Sequence, residues 1–534
     1  FYIKNKYTTF NSNINFKLFK NKKTFMNWKI FKDIKTNDII FFLFSIIISY
    51  LISSLYLPAE DASILYNYSE NLSNTGVISY FPGGEITEGA TDFLWMIALS
   101  FFYTLGLDTF FAAVFLNLIS LYIAINLIKK HYNLSQTEYF FVLIFHIFLA
   151  HTYSSILGFS TLFVELFYVL VIINFLKNNV LNTLIFSFIG CLIRPDFILL
   201  ISLFNIILFK NNFSKKTVYL YCLFIVLGVI YFFLRASYFQ ELFPVSFYLK
   251  VSWNLFNNVE WARQLLILSP SIALFGVINF KKSINEKMIV LIISLILPTL
   301  YYTNQTLMQN IGYRFYFYIP VLFIFILYES KFLINKIFRK KIIYSLFVSI
   351  MCLSVLFQSF ERFVFFKGNF ISSKSKYAVF LNDLYEINKS NNILIGTTES
   401  GHIPYYSKAE TVDFFGLNTK MFMRKPADGS FLQNNIFDIL VINRGKNIRS
   451  DFGCNDLEIL LKKSKNITNT TADRSDSWSN FGLKLLSGID LSLYQTFHHT
   501  FPTSIFVNKN SNSYIDLEKS LLNLGASKCT NIKN

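Results

Sequence analysis

Charge is nearly missing from the long apolar runs, roughly 15–20 residues each, that follow one another across residues 38–360. A soluble core has no use for ten or more such runs, whereas a bilayer does, so a wholly soluble protein is excluded. Cysteine is scarce: there are five, with no CxxC pair and no zinc-ligand spacing. That excludes a zinc ribbon or a thioredoxin-type redox motif. Cys191, Cys222 and Cys352 fall inside apolar runs and read as packing residues. Cys454 and Cys529 lie in a polar tail and can pair if that tail meets an oxidising compartment. No cleavable leader is evident, because the first apolar run starts near Asp38 after a long basic segment. Internal repeats are also missing. Finally, residues 58–91 contain neither Lys nor Arg.

What is present is unevenly placed. Hydrophobic residues make up 53% of the 534, with 63 Phe, a modest excess over a soluble domain. The net charge of +17 invites a nucleic-acid role, but its distribution argues for cytoplasmic loops instead. Spans are expected near 38–57, 109–128, 137–157, 161–177, 179–193, 196–210, 217–234, 261–280, 287–303, 315–330 and 342–360. Residues 93–105 reach only ~20 Å as a helix, short of a ~30 Å hydrocarbon core. If they lie along the interface, one side collects Lys20, Lys22, Lys23, Lys129, Lys130, Lys210, Lys215, Lys216, Lys281, Lys282, Lys340 and Lys341. The other side keeps only Arg194, Arg235, Lys250, Arg263 and Arg314 up to residue 360. That is the positive-inside pattern, and it puts the N-terminus inside and the tail outside.

The expected fold class is an α-helical polytopic membrane protein, with about 11 transmembrane helices and a C-terminal soluble α/β domain. Residues 1–37 form a basic cytoplasmic segment. Residues 38–360 form the membrane domain, with an acidic outside loop over 58–108, and residues 361–534 form the outside domain. In the tail, strands are expected at 392–396, 410–415, 437–443 and 503–507, and helices at 376–389 and 457–465. Residues 466–481 read as a polar loop.

The first outside loop carries Glu60, Asp61, Glu70, Glu85 and Glu88. A carboxylate at the membrane–water boundary is partly desolvated, which raises its pKa and suits it to act as a general base. It can equally bind a cation, or simply be a solvated exit loop. Arg194, Arg235, Lys250 and Arg314 run against the charge bias of their side. Each can hold a lipid phosphate or merely snorkel to headgroups.

A resemblance runs through these residues. Glu60-Asp61-Ala-Ser-Ile-Leu-Tyr-Asn, then Tyr80-Phe81-Pro82-Gly83-Gly84-Glu85 and Glu88-Gly89-Ala90-Thr91-Asp92-Phe93-Leu94-Trp95, resemble the first loop of bacterial GT-C glycosyltransferases. The pattern is most similar to the AftB-like arabinofuranosyltransferase group. Arg194-Pro195-Asp196, Leu242 to Lys250, Gly312-Tyr313-Arg314-Phe315 and Ile403-Pro404-Tyr405-Tyr406-Ser407 continue it in order. The acidic pair is Glu-Asp here where Asp-Asp is usual, and Asn67 stands where Arg is common.

The resemblance implies a multi-pass enzyme of the bacterial cytoplasmic (inner) membrane, moving a sugar from a polyprenyl-phosphate donor. The acceptor is a hydroxyl of an envelope glycan, lipid or protein on the outer face, and the anomeric centre is inverted. Asp61 is the expected base, with Glu60 beside it. Arg194, Lys250, Arg314 and Arg235 hold the donor phosphate, and Glu88, Tyr248, Tyr405 and Tyr406 contact substrate. Base and phosphate are expected across a space roughly 6–10 Å wide. No metal ligands are assigned, and a divalent cation is left open. The alternative is a transporter or flippase for an envelope lipid or solute, which would favour duplicated halves and ionisable residues deep in the spans.

Overall fold

The computed structural model describes residues 36–89, 91–245, 286–303, 310–337, 349, 353, 370–443, 454–465, 478–498 and 503–530. The expected spans at 261–280 and 342–360, with Tyr248 and Lys250, lie outside the described residues. The helical part runs α1 (Thr36–Leu55), α2 (Glu60–Thr75), α3 (Phe93–Thr104), α4 (Thr109–Tyr132), α5 (Gln136–Ile147) and α6 (Ala150–Ile156). It continues with α7 (Thr161–Leu176), α8 (Val180–Ile193), α9 (Phe197–Asn211), α10 (Lys215–Phe239), α11 (Glu286–Thr303) and α12 (Tyr318–Ile337). Side-chain oxygens punctuate them. Asp108 caps α4, and Ser135 and Glu138 form a reciprocal capping box on α5.

Among the described residues, four helices are long and apolar enough to cross a bilayer. They are Thr36–Leu55, Thr109–Tyr132, Lys215–Phe239 and Ile311–Glu329, and a fifth is gained if α5 and α6 count as one broken span. Among the described residues, then, the eleven expected crossings are not confirmed. The expected single span at 137–157 is bent by 65° between α5 and α6. Those at 161–177, 179–193 and 196–210 are helices of 16, 14 and 15 residues. At ~1.5 Å per residue these are shorter than a typical hydrocarbon core. α4 packs on α1 and α7, and α7 on α8, around a core that includes Ile125, Val171, Leu291 and Phe325. α1 and α10 turn apolar side chains such as Phe44, Ile47, Ile225 and Phe233 outward, as a lipid-facing surface requires.

The C-terminal part is a six-stranded mixed sheet: β1 (Leu394–Thr397), β2 (Glu410–Asp413), β3 (Ile439–Asn443), β4 (Tyr494–His498), β5 (Thr503–Asn508) and β6 (Ser527–Cys529). The strand order is β2-β1-β3-β5-β4-β6, with β1 parallel to both β2 and β3 and the remaining pairs antiparallel. Alternation along β3 sends Ile439 and Val441 to one apolar layer and Leu440 and Ile442 to the other. α13 (Lys376–Asn391) and α18 (Tyr514–Leu524) cover the first layer. α16 (Cys454–Lys465) and α17 (Trp478–Leu486) cover the second; α14 (His402–Ser407) and α15 (Gly429–Asn434) lie between strands in sequence. The four expected strands are present, joined by β4 and β6, which the sequence reading did not include. Residues 478–481, expected in a loop, begin α17. Cys454 and Cys529 form a disulfide, with Cα atoms 5.4 Å apart.

The sheet is docked on the acidic loop. His402 Nε2 donates to the Pro58 carbonyl at 2.8 Å, and Tyr80 donates to the Ser400 carbonyl at 2.6 Å. Gly401 allows the closest approach, because a Cβ there would sit 1.8 Å from the Glu60 carbonyl oxygen. Glu70 gathers Thr109, Tyr405 and Lys408 at 2.7, 2.8 and 2.8 Å, tying loop, membrane helix and tail together.

Candidate active site

Glu60 and Asp61 occupy the first turn of α2, where the helix dipole favours negative charge. Successive helical residues point about 100° apart, so the pair divides. Glu60 faces the tail and accepts the Gly401 backbone N–H. Burial, with Glu399 and Asp61 nearby, pushes its carboxyl well above the ordinary carboxylate value. Asp61 faces inward and pairs with Arg314 at 3.0 Å, its side chain 23% exposed against 10% for Arg314.

Arg314 arrives on a short 3-10 turn, Ile311–Tyr316, just ahead of α12. Gly312 there has φ of 60°, and a Cβ would lie 2.2 Å from the Ala150 carbonyl oxygen, so only glycine fits. Tyr313 follows with φ of 55°, a left-handed conformation that strains a side-chain-bearing residue. This backbone lays the Arg314 guanidinium 3.9 Å above the Phe159 ring. Its Nη2 serves Asp61, while its buried Nε has no hydrogen-bond partner.

Arg194 comes from the turn between α8 and α9. It lies 4.8 Å from the centre of the Phe315 ring, and Arg314 lies 5.1 Å from the same centre. Arg194 also forks onto Asp196 at 3.0 and 2.7 Å, and Tyr302 donates to the same carboxylate. Asp61, Asp92, Arg194 and Arg314 line one cavity of about 100 Å³, walled by Trp95, Phe159, Ser160, Phe315 and Leu417. A second cavity of about 740 Å³ lies between residues 80–85 and β2, and its lining includes Glu85 and Glu410 but no arginine.

Of the expected site residues, the structure brings Asp61, Arg194 and Arg314 together. The others it describes lie elsewhere. Glu60 holds the tail and is not in the cavity lining. Arg235 is buried on Glu88, with Nε 3.0 Å from Oε1, and its Nη1 donates to the Leu242 carbonyl at 2.9 Å. Each neutralises the other, and neither lines the cavity. Burial raises the Glu88 carboxyl above its usual value, with Arg235 pulling the other way. Tyr405 is buried on Glu70, and Tyr406 packs edge-on against it. A gap is expected between base and phosphate; Arg314, one of the expected phosphate ligands, touches Asp61 directly in this structure.

Two features escaped the sequence reading. Asp92 stands in the quoted motif, yet nothing in the sequence brings it to Ser160, whose hydroxyl it accepts. Glu165 lies inside apolar α7, sharing its two oxygens between His146 at 3.1 Å and His151 at 2.7 Å. Among the described residues no group of three or more His, Cys, Asp or Glu is set to hold a metal ion.

No protein-family model matches the chain, and no curated protein does. Among solved structures, the crystal structure of ArnT from Cupriavidus metallidurans in the apo state matches with a TM-score of 0.53. The match covers 88% of this chain and 97% of that one, at 11% identity. The chain thus shares its overall fold with ArnT.

Proposed function

We propose that the chain is a membrane glycosyltransferase that takes its sugar from a polyprenyl phosphate. The observation that carries this is Arg314: a buried guanidinium, paired with the candidate base, with its Nε donor unused beside Arg194. Unsatisfied buried donors are rare, and guanidinium is the side chain best shaped to receive phosphate oxygens. In the reaction Asp61 accepts the proton of the acceptor hydroxyl as its oxygen bonds to the anomeric carbon. The bond from that carbon to the phosphate oxygen breaks, and the lipid phosphate leaves with the electron pair. Arg314 and Arg194 stabilise the charge that grows there. Displacement from the opposite face inverts the anomeric centre.

The ArnT-like fold supports the enzyme class, while the AftB-like subgroup rests on the ordered sequence motifs. The tail is placed outside the cytoplasm by the lysine pattern, and the Cys454–Cys529 disulfide supports an oxidising compartment. The acceptor is then an envelope glycan, lipid or protein. The test is purified protein given undecaprenyl-phosphate glucose, mannose and arabinofuranose, with a membrane-extract acceptor. Release of undecaprenyl phosphate that requires Asp61 supports the reading; no release from any of them counts against it.

One observation favours a second reading, a proton-coupled transporter. The His146–Glu165–His151 group is buried among helices, where ionisable residues often mark proton paths. Proteoliposomes that acidify in an Asp61-independent, Glu165-dependent manner would favour it.

A further inference from the structure

Asp92 is the N-cap of α3, a position where an aspartate ordinarily accepts from the helix's own first N–H groups. It makes no such bond. Its carboxylate is turned instead to Ser160 and Thr91, hydroxyls that can rotate to suit a third partner. Two of its roughly four lone-pair directions are taken by these hydroxyls. The carboxylate lines the same cavity as Asp61, Arg194 and Arg314.

The cavity therefore has two chemically distinct parts. Arg314 and Arg194 attract an anion, which Asp92 repels. Asp92 itself accepts hydrogen bonds from hydroxyls; its charge acts on both arginines, but it makes no direct ion pair with either. We infer that Asp92 reads the donor sugar, accepting a hydrogen bond from a ring hydroxyl or ammonium while the arginines hold the phosphate. Donors with that position deoxygenated or acylated are then disfavoured, because a site built to receive a polar hydrogen rejects analogues lacking it. This rests on the transferase reading, with Asp61 remaining the base.

The experiment compares two lipids on full-length protein in nanodiscs: undecaprenyl phosphate, which lacks a sugar, and the undecaprenyl-phosphate sugar that the wild type consumes fastest. Asp92→Ala removes a negative charge that acts on both arginines, so it is expected to leave the Kd for undecaprenyl phosphate unchanged or lower it. It should weaken the sugar-bearing lipid by about 10- to 100-fold, the range for losing a hydrogen bond to a charged group, with KM rising more than kcat falls. Asp92→Asn, which keeps one acceptor oxygen, falls between. Equal loss for both lipids makes Asp92 structural and overturns the inference. A collapse of kcat at unchanged KM makes it a catalytic group and overturns it as well. A wild type that binds neither lipid removes the transferase reading, and this inference with it.

Discussion

Asp61→Asn separates two jobs that the wild-type residue performs at different moments. Without substrate Asp61 neutralises Arg314 across 3.0 Å. During the reaction it is the proposed proton acceptor. Asparagine keeps the size and loses the charge, so the phosphate no longer competes with a carboxylate for the guanidinium. Coulomb's law at an effective dielectric of ~20 gives ~5.5 kcal/mol for such a pair, an upper bound. Asp61 is 23% exposed, so water screens part of that. Hydrogen bonds to charged groups measure about 1.5–3 kcal/mol, and the asparagine oxygen recovers some of it. A gain of roughly 1–2 kcal/mol remains, or about 5- to 30-fold tighter binding of undecaprenyl phosphate. Turnover should move the other way, falling by about 10²–10⁴, the usual worth of a general base. Equilibrium binding and single-turnover transfer on one preparation measure both. Weaker phosphate binding, or a loss of only a few-fold in turnover, refutes the reasoning.

Three further outcomes are expected. Glu399, like Glu60, is raised mainly by burial, and an acid whose folded pKa is raised stabilises most when protonated. Stability from it is complete below the ordinary carboxylate range and declines as pH climbs toward the raised value. Glu399→Gln should thus raise the melting midpoint at neutral pH and change it little at pH 4; the reverse order contradicts the docking described. Removing the disulfide, which closes a loop of 75 residues, should cost the sheet about 4.5 kcal/mol on chain-entropy grounds. Urea unfolding of Cys454→Ser with Cys529→Ser measures this, and an unchanged midpoint argues against the link. A cysteine at Asn74, with Cys191, Cys222 and Cys352 replaced, should react with an impermeant maleimide in intact cells. Reaction only after lysis inverts the topology.

Long-period features were legible in the sequence. α4 and α10 were placed within a few residues, since an unbroken apolar run leaves little choice. The strands β1, β2, β3 and β5 followed from alternating apolar residues. β4 was missed because Tyr494–His498 carries Gln and Thr, whose place in a sheet depends on neighbours remote in sequence. Residue type suggested Asp61, Arg194 and Arg314, but their partners could not be read. Asp61 meets Arg314 across 253 positions, and Glu88 meets Arg235 across 147. Lysine counting placed Arg235 and Arg314 on one side, yet it could not distinguish a guanidinium already neutralised from one with a donor to offer. Glu70 looked like part of a solvated loop; only the docked tail, with Tyr405 and Lys408, explains its burial.

The most direct test is an experimental structure of the protein in a lipid nanodisc with undecaprenyl phosphate bound. The account predicts the phosphate within hydrogen-bond reach of Arg314 Nε and of Arg194, with Asp61 released from Arg314 and facing the cavity. A phosphate bound elsewhere, with the Asp61–Arg314 pair still closed, would contradict it.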